Sequence, residues 1–352
     1  MKQLKRFLIY NLIIAMIFGL CSCSNVSSGE ESGEEGNISF FEKDLKKKQD
    51  NTESQTPEPV SNQGSTVEEM IEKYHQDETR DIEAYLLLGI DRGGEAVDDG
   101  RYYGGGQSDG IYVIAMDNDS KKTTVLQINR DTYTDINVYD FFGNVLTTKK
   151  DRLALAYGMG SGMEDSCELA EAAISDFLHG LKFDGYVAIY YDAIAPVVDC
   201  TSGVSIIIED DMTKIDPVFV KGTTVQMDGE QAYLFCRART SVGNQTNTGR
   251  MRRQRTFLNS FMDVCRSQIK VKPAVINDMY NAAEPYIVSN LSSGELCNIA
   301  VKALGYQDGG IVTPAGTDEW VTGIDGIRFC QFTVNDESLN SILCEVFNLQ
   351  SL

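Results

Sequence analysis

The spacing of apolar positions changes character along the chain. Phe7 to Leu20 is a mostly apolar run of fourteen residues broken only by Asn11. Residues 24–64 are rich in Ser, Gly, Glu, Asn, Gln and Lys, hold Pro57 and Pro59, and carry few aliphatic side chains. Such a segment buries too little surface to offset the entropy of ordering it, so it is predicted to be a disordered tether. Ser65-Thr66-Val67-Glu68 has the form of a capping box and predicts a helix with Val67, Met70, Ile71 and Tyr74 along one stripe. Ala84 to Ile90 is continuously apolar, the mark of a strand buried on both faces. A glycine-rich loop follows, then strands over Gly110–Met116 and Thr123–Ile128 separated by the turn Asp117-Asn118-Asp119-Ser120. Thr201 to Glu209 is expected to join the same sheet. Tyr233 to Arg239 reads as another strand end, which would project Arg237 and Arg239 to one face. After a polar turn at Asn244–Thr248, Thr246 or Thr248 can cap a helix that begins near Gly249 and runs through Arg250, Gln254, Phe257, Leu258, Phe261, Met262 and Cys265.

The N-terminal run is too short to span a bilayer core, which needs about 20 residues, and it follows a basic Met1–Arg6. Residues 1–23 therefore read as a signal peptide. Leu20-Cys21-Ser22-Cys23 matches a bacterial lipobox, making Cys23 the expected lipid anchor. An uncleaved signal anchor is the competing reading and puts the remainder on the same side of the membrane. Residues 65–352 form one folded region, since no internal repeat or second linker interrupts them.

Formal charge is -21, from 31 Lys and Arg against 52 Asp and Glu, which argues against nucleic acid as a partner. With Cys21 in the signal and Cys23 given to lipid, Cys167, Cys200, Cys236, Cys265, Cys297, Cys330 and Cys344 remain, without zinc-type spacing. Several lie in apolar runs and read as small buried hydrophobes; a Cys330–Cys344 bridge stays open. His75 and His179 fall outside any catalytic grouping, and no serine stands in a GxSxG elbow.

Against this acidic background, Arg237, Arg239, Arg250, Arg252, Arg253 and Arg255 fall within a stretch that contains no acid. Either they are a solvated basic face or they gather a polyanion, most simply a di- or polyphosphate. A helix N-terminus carrying Arg250 and Gln254 on one face favours the polyanion. Charged residues also collect where apolar strands stop, at Asp91-Arg92, Ser108-Asp109 and Asn129-Arg130-Asp131, which is where open α/β sheets place their ligand crevice. Asp91 and Asp109 are candidate ligands for a hard divalent cation, or else turn and cap residues.

Read in order, Leu86-Leu87-Leu88-Gly89-Ile90-Asp91-Arg92, Ser108-Asp109, Asn129-Arg130-Asp131-Thr132, Leu155-Ala156-Tyr157-Gly158, Phe183-Asp184-Gly185-Tyr186-Val187, Asp228-Gly229-Glu230-Gln231-Ala232, Arg237-Ala238-Arg239 and Gly249-Arg250-Met251-Arg252-Arg253-Gln254 resemble the LytR-CpsA-Psr family of bacterial cell-wall ligases. The motif core covers residues 83–266, with a similar helical and strand part over 267–352. The resemblance implies a three-layer α/β/α fold with a central mixed sheet and a hydrophobic polyprenyl-binding tunnel. It implies a phosphotransferase that moves a teichoic acid- or capsule-like glycopolymer from undecaprenyl pyrophosphate to peptidoglycan, on the extracytoplasmic face of a Gram-positive-type membrane. Asp91 and Asp109 match the family's Mg²⁺ (or Mn²⁺) carboxylates. Arg130, Arg237, Arg239, Arg250 and Gln254 match its pyrophosphate-binding residues, with Arg130, Arg237 and Arg239 catalytic. Asp131 is a candidate base for the acceptor hydroxyl or an orienting partner of Arg130.

The chain departs from the family at Gln107, where many members have arginine, and at Asn247, where many have an acid. If the amide merely replaces a functional acid, Asn247→Asp is expected to keep or raise activity. Two other functions fit the same residues: a polyprenyl pyrophosphate phosphatase, and a noncatalytic lipoprotein that binds wall polymers or lipid carriers.

Overall fold

The computed structural model describes residues 74–76, 80–98, 105–140, 144–243, 245–272, 274–323 and 326–351. In chain order the elements are β1 (Tyr74–Gln76), β2 (Ile82–Ile90), β3 (Ser108–Asp117), β4 (Lys122–Ile128), β5 (Tyr133–Tyr139), β6 (Val145–Arg152), α1 (Glu164–Phe177), β7 (Gly185–Tyr190), α2 (Ile194–Asp199), β8 (Val204–Ile207), β9 (Thr224–Met227) and α3 (Gly229–Arg237). They continue with α4 (Asn247–Val271), α5 (Val275–Ala283), β10 (Ile287–Ser289), α6 (Ser293–Leu304), β11 (Gln307–Val312), β12 (Gly316–Thr322), β13 (Arg328–Val334), α7 (Asp336–Phe347) and β14 (Leu349–Ser351).

Six strands form the central mixed sheet in the order β10-β7-β2-β3-β4-β11. β2 runs parallel to β7 and antiparallel to β3, β3 is antiparallel to β4, and β11 is parallel to β4. The uninterrupted apolar run in β2 follows from coverage of both faces. Tyr85 and Leu87 join Tyr112, Ile114, Val187 and Ile189 beneath α2 to α6, through Val197, Phe235, Phe257, Phe261 and Ile276. Leu86, Leu88 and Ile90 join Ile111 and Val113 against α1 and α7, through Cys167, Ile174, Leu339 and Phe347. The result is a three-layer α/β/α body. Phe257 and Phe261, one turn apart on α4 and stacked at 5.8 Å, are fully buried and contribute about 1.5–3 kcal/mol each.

Three expectations are corrected, and the pairing left open for Cys330 and Cys344 is decided. Tyr233–Arg239 is not a strand: α3 ends at Arg237, because the Asp228 side chain caps it by accepting the Gln231 N–H at 2.9 Å and commits the following residues to a helix. Val204–Ile207 does not join the central sheet but pairs with β9 in a separate two-stranded sheet, its alternate residues exposed. Tyr74 and His75 lie in β1, which pairs with β14, so tertiary pairing overrides the helical stripe there. Cys330 and Cys344 are both free, the first buried and the second exposed. Helix α4 begins at Asn247, two residues earlier than expected, with Thr246 at the cap position. Cys23, the signal peptide, the tether and Val67–Ile71 lie outside the described residues. Among the described residues no helix is long and apolar enough to cross a membrane.

Candidate active site

Strands β2, β4, β7 and β11 all end at one edge of the sheet, where antiparallel β3 begins. That edge collects Asp91 after β2, Asn129-Arg130-Asp131 after β4, and Gln107 and Asp109 at the start of β3. A β-bulge aims Asp109. Gly89 pairs with Gly110 but Ile90 pairs with Ser108, so Asp109 is the extra residue between them. In an unbroken ladder Asp109 would face Ile90 and point toward the α1–α7 layer. Ser108 takes that place, its hydroxyl donating to Ala154 O at 3.4 Å.

Released from the pleat, the buried Asp109 carboxylate pairs with Arg130 through Oδ1, and its Oδ2 lies 3.7 Å from Arg250 Nη1. Each of these guanidiniums is held on another side by a neutral amide oxygen. Arg130 donates to Gln107 Oε1, and Arg250, fully buried on the first turn of α4, donates to Asn247 Oδ1. Asn247 in turn donates to Asn129 Oδ1 at 2.6 Å, and that same oxygen accepts the Asp131 N–H at 3.0 Å. Burial lowers Arg130 to about 10; Asp131 opposes this, and the positive charges of Arg152 and Arg250 add to it. The guanidinium therefore stays protonated at neutral pH.

Asp131 has no exposed side-chain surface. Its Oδ1 lies 3.3 Å from Arg130 Nε and its Oδ2 3.0 Å from Arg239 Nη2. Engaged by two guanidiniums, it is placed to orient them. Arg239 also donates through Nε to Gln245 O at 3.1 Å and keeps 11 % of its side chain exposed. Arg237, at the end of α3, donates to Tyr233 Oη, one turn earlier, and lies over the Tyr191 ring at 4.9 Å. Tyr191 directly follows β7, which puts Arg237 at the same sheet edge.

Helix α4 anchors the segment that carries both arginines. Arg253 donates to Ala238 O, and Gln254 Nε2 donates to Cys236 O at 3.4 Å. Gln254 Oε1 accepts from Tyr112 at 3.3 Å. The other arginines of the run are engaged elsewhere: Arg252 pairs with Glu209 and Asp210, and Arg255 donates to Thr313 Oγ1 at 2.8 Å and more weakly to Gln127. Thus Arg130, Arg239 and Arg250 belong to one connected group with Asp109 and Asp131, Gln254 supports it from α4, and Arg237 stands on an aromatic platform at the same edge.

The sequence reading missed Tyr191, Tyr233 and Asn129 as site residues. An i, i+4 pairing of Tyr233 with Arg237 signals helix, but reading that segment with period 2 hides it. The Asn129–Asn247 contact also alters the expectation for Asn247→Asp. Asn129 Oδ1 is fixed as an acceptor by the Asp131 N–H, so a carboxylate at 247 would place acceptor against acceptor in a buried site. The variant is expected to lose activity about 10-fold or more, by about 1–3 kcal/mol of unsatisfied pairing. Steady-state transfer rates check this, and activity at or above wild type would refute it.

The donor set suits a phosphate-borne Mg²⁺ (or Mn²⁺). Both Asp109 oxygens are buried and accept no hydrogen bond, being held only by ion pairs. Asp91 Oδ1 accepts the Gln107 N–H at 2.6 Å, and Gly106, at φ +85°, leaves open the space 2.8 Å from that oxygen which a Cβ would fill. Two hard carboxylates are what Mg²⁺ takes from protein when phosphate oxygens and water complete its shell. Among the described residues no group of three or more His, Cys, Asp or Glu could form a protein-only cage.

Compared with known proteins, residues 38–342 match the model of the LytR_cpsA_psr family. The chain belongs to the LytR_cpsA_psr family. Curated LytR_cpsA_psr relatives include two named polyisoprenyl-teichoic acid–peptidoglycan teichoic acid transferase TagU. That of Bacillus anthracis is 26% identical over 211 residues, 60% of this chain and 61% of the relative. That of Enterococcus faecalis is 28% identical over 216 residues, 61% and 64%. The chain thus spans less than two thirds of the length of these relatives. Among solved structures, Bacillus subtilis TagV has a TM-score of 0.55 at 21% identity, covering 76% of this chain and 97% of that one. A Streptococcus agalactiae protein has a TM-score of 0.59 at 19% identity, covering 82% and 92%. These likenesses establish the mixed α/β fold of this LytR_cpsA_psr chain.

Proposed function

We propose that this chain transfers a phosphorylated glycopolymer of the teichoic acid or capsule type from a polyprenyl pyrophosphate donor to a peptidoglycan hydroxyl, on the extracytoplasmic face of a Gram-positive-type membrane. The observation that carries this reading is the buried Asp109 held between Arg130 and Arg250, with Arg239 fixed on Asp131 beside them. Guanidiniums fixed in advance stabilise phosphate charge as it shifts in the transition state. The transferase names of the TagU relatives support the same reaction class.

In the proposed reaction the acceptor oxygen bonds to the polymer-bearing phosphorus as the bond to the polyprenyl phosphate breaks, and the hydroxyl proton ends on the released polyprenyl phosphate. Arg130, Arg239 and Arg250 hold the phosphate oxygens, and Arg237, kept extended over Tyr191, takes the leaving phosphate. Asp131 positions Arg130 and Arg239. Asp91 and Asp109 would hold Mg²⁺ (or Mn²⁺), which when bound neutralises phosphate charge. The polyprenyl chain is assigned to an apolar tunnel that would keep it from water while its pyrophosphate meets the arginines.

Transfer is tested with purified full-length chain, a prenyl-pyrophosphate glycan and peptidoglycan oligomers. Polymer joined covalently to the oligomer, with release of polyprenyl phosphate, is the expected result. Release into water alone identifies a phosphatase. No turnover with tight lipid binding identifies a carrier-binding lipoprotein. Anchoring is assigned to diacylated Cys23. Mass spectrometry of the mature N-terminus should begin at modified Cys23, and Cys23→Ala should abolish both lipidation and cleavage at that position.

A further inference from the structure

In the hairpin β12–β13, strand β12 is mostly exposed and carries Trp320, the single tryptophan of the chain, which keeps 37% of its surface in water. Its register pairs Asp318 with Phe332, Trp320 with Cys330, and Thr322 with Arg328, so these six side chains share one face. That face is joined to the arginine site. Phe332 N donates to Asp131 O at 2.7 Å, Phe332 also bridges to Thr132, and Cys330, on the Trp320 face, is 1% exposed. Burial and the nearby Asp131 and Asp318 carboxylates raise the Cys330 thiol to about 12, with Arg239 acting in the opposite sense. On the other face Phe329 packs beneath Arg152 of β6 at 5.4 Å, which braces the hairpin. One strand across and two residues along from Phe332, Trp320 lies roughly 8 Å from the residue bonded to Asp131.

An indole this exposed, with the Arg328 guanidinium 5.0 Å from its centroid and the Asp318 carboxylate two residues along the same face, has the chemistry of a sugar platform. The negative face of an aromatic ring attracts the polarised C–H edge of a pyranose, and a carboxylate accepts its hydroxyls. With Arg328 balanced by Asp318 the face carries no net charge, which suits a neutral glycan backbone better than the phosphate-rich donor.

We propose that the Trp320 face of β12–β13 is the subsite that holds the acceptor glycan strand, with a sugar ring stacked on Trp320 and its hydroxyls directed to Asp318. The identity of the acceptor rests on the transferase reading, but binding is measurable without turnover. Because the chain holds one tryptophan, its emission reports on this face alone. Full-length protein in detergent is titrated with uncrosslinked GlcNAc–MurNAc oligosaccharides. A saturable change in emission is expected, with none from maltooligosaccharides. In transfer assays Trp320→Ala should raise the acceptor KM at least ~5-fold while kcat and the donor KM stay within about 2-fold, and Trp320→Phe should retain most of the wild-type acceptor KM. No change in emission with the oligosaccharides would leave Trp320 as an internal partner of Arg328 and overturn the proposal. So would a blue shift produced only by phosphatidylglycerol vesicles, which would make the face a membrane contact. Saturable glycan binding without any transfer would sink the transferase reading and uphold this subsite.

Discussion

Replacing Arg239 by alanine is expected to reduce polymer transfer at least ~10²-fold, about 2.7 kcal/mol of transition-state stabilisation. Arg239 is the member of the connected cluster whose guanidinium reaches the surface while Asp131 holds it at 3.0 Å, so it meets a phosphate without first breaking a core contact. Arg250→Ala should lose at least as much, because it also leaves Asp109 with one guanidinium fewer in a buried site. Arg255→Ala is the control. Its partners are Thr313 and Gln127, and its loss should change the rate by less than about 3-fold, since neutral hydrogen bonds contribute only about 0.5–1.5 kcal/mol. Initial rates with one prenyl-pyrophosphate donor compare the three. Arg239→Ala at wild-type rate would remove the arginine cluster from the reaction.

Asp131→Ala is expected to destabilise the fold by about 3–5 kcal/mol, because it strips a fully buried carboxylate from two guanidiniums. Denaturant unfolding measures this as a lower midpoint. Asp131→Asn separates an orienting role from a general-base role. An amide oxygen can still accept from one guanidinium, so an orienting residue gives a raised donor KM with much of kcat retained. A base gives loss of kcat at saturating donor with KM unchanged, and that outcome would contradict the geometry described for Asp131.

The central strands were legible because coverage on both faces demands unbroken apolar runs, as in Leu86–Ile90. Helix α4 was legible from the Thr246 cap and the stripe Phe257, Leu258, Phe261. Helix α3 was not, because Tyr233-Leu234-Phe235-Cys236 is as aromatic and apolar as a strand; the deciding signal, Asp228 three residues before Gln231, is local and was available. Most of the charged site residues were visible as charges at strand ends. Gln107 and Asn247 stood out only as departures from the family pattern, and their contacts were hidden: Asn129 and Asn247 are 118 positions apart, and only the fold brings their amides together. The separate pairing of β8 with β9 was hidden for a similar reason, since partner choice between strands is a tertiary property.

The bulge at Asp109 means that the number of residues in β3, as much as their identity, specifies the site. Deleting Ser108 would let the ladder close without an extra residue and would set Asp109 opposite Ile90, facing the α1–α7 layer and away from Arg250 on α4, with every charged side chain still present. Length variation at this point therefore abolishes the carboxylate's position in one step, whereas substitutions around it alter charge or packing and leave the bulge in place. Homologues that keep the aspartate but differ by one residue at this strand start would share the motif and lack the geometry.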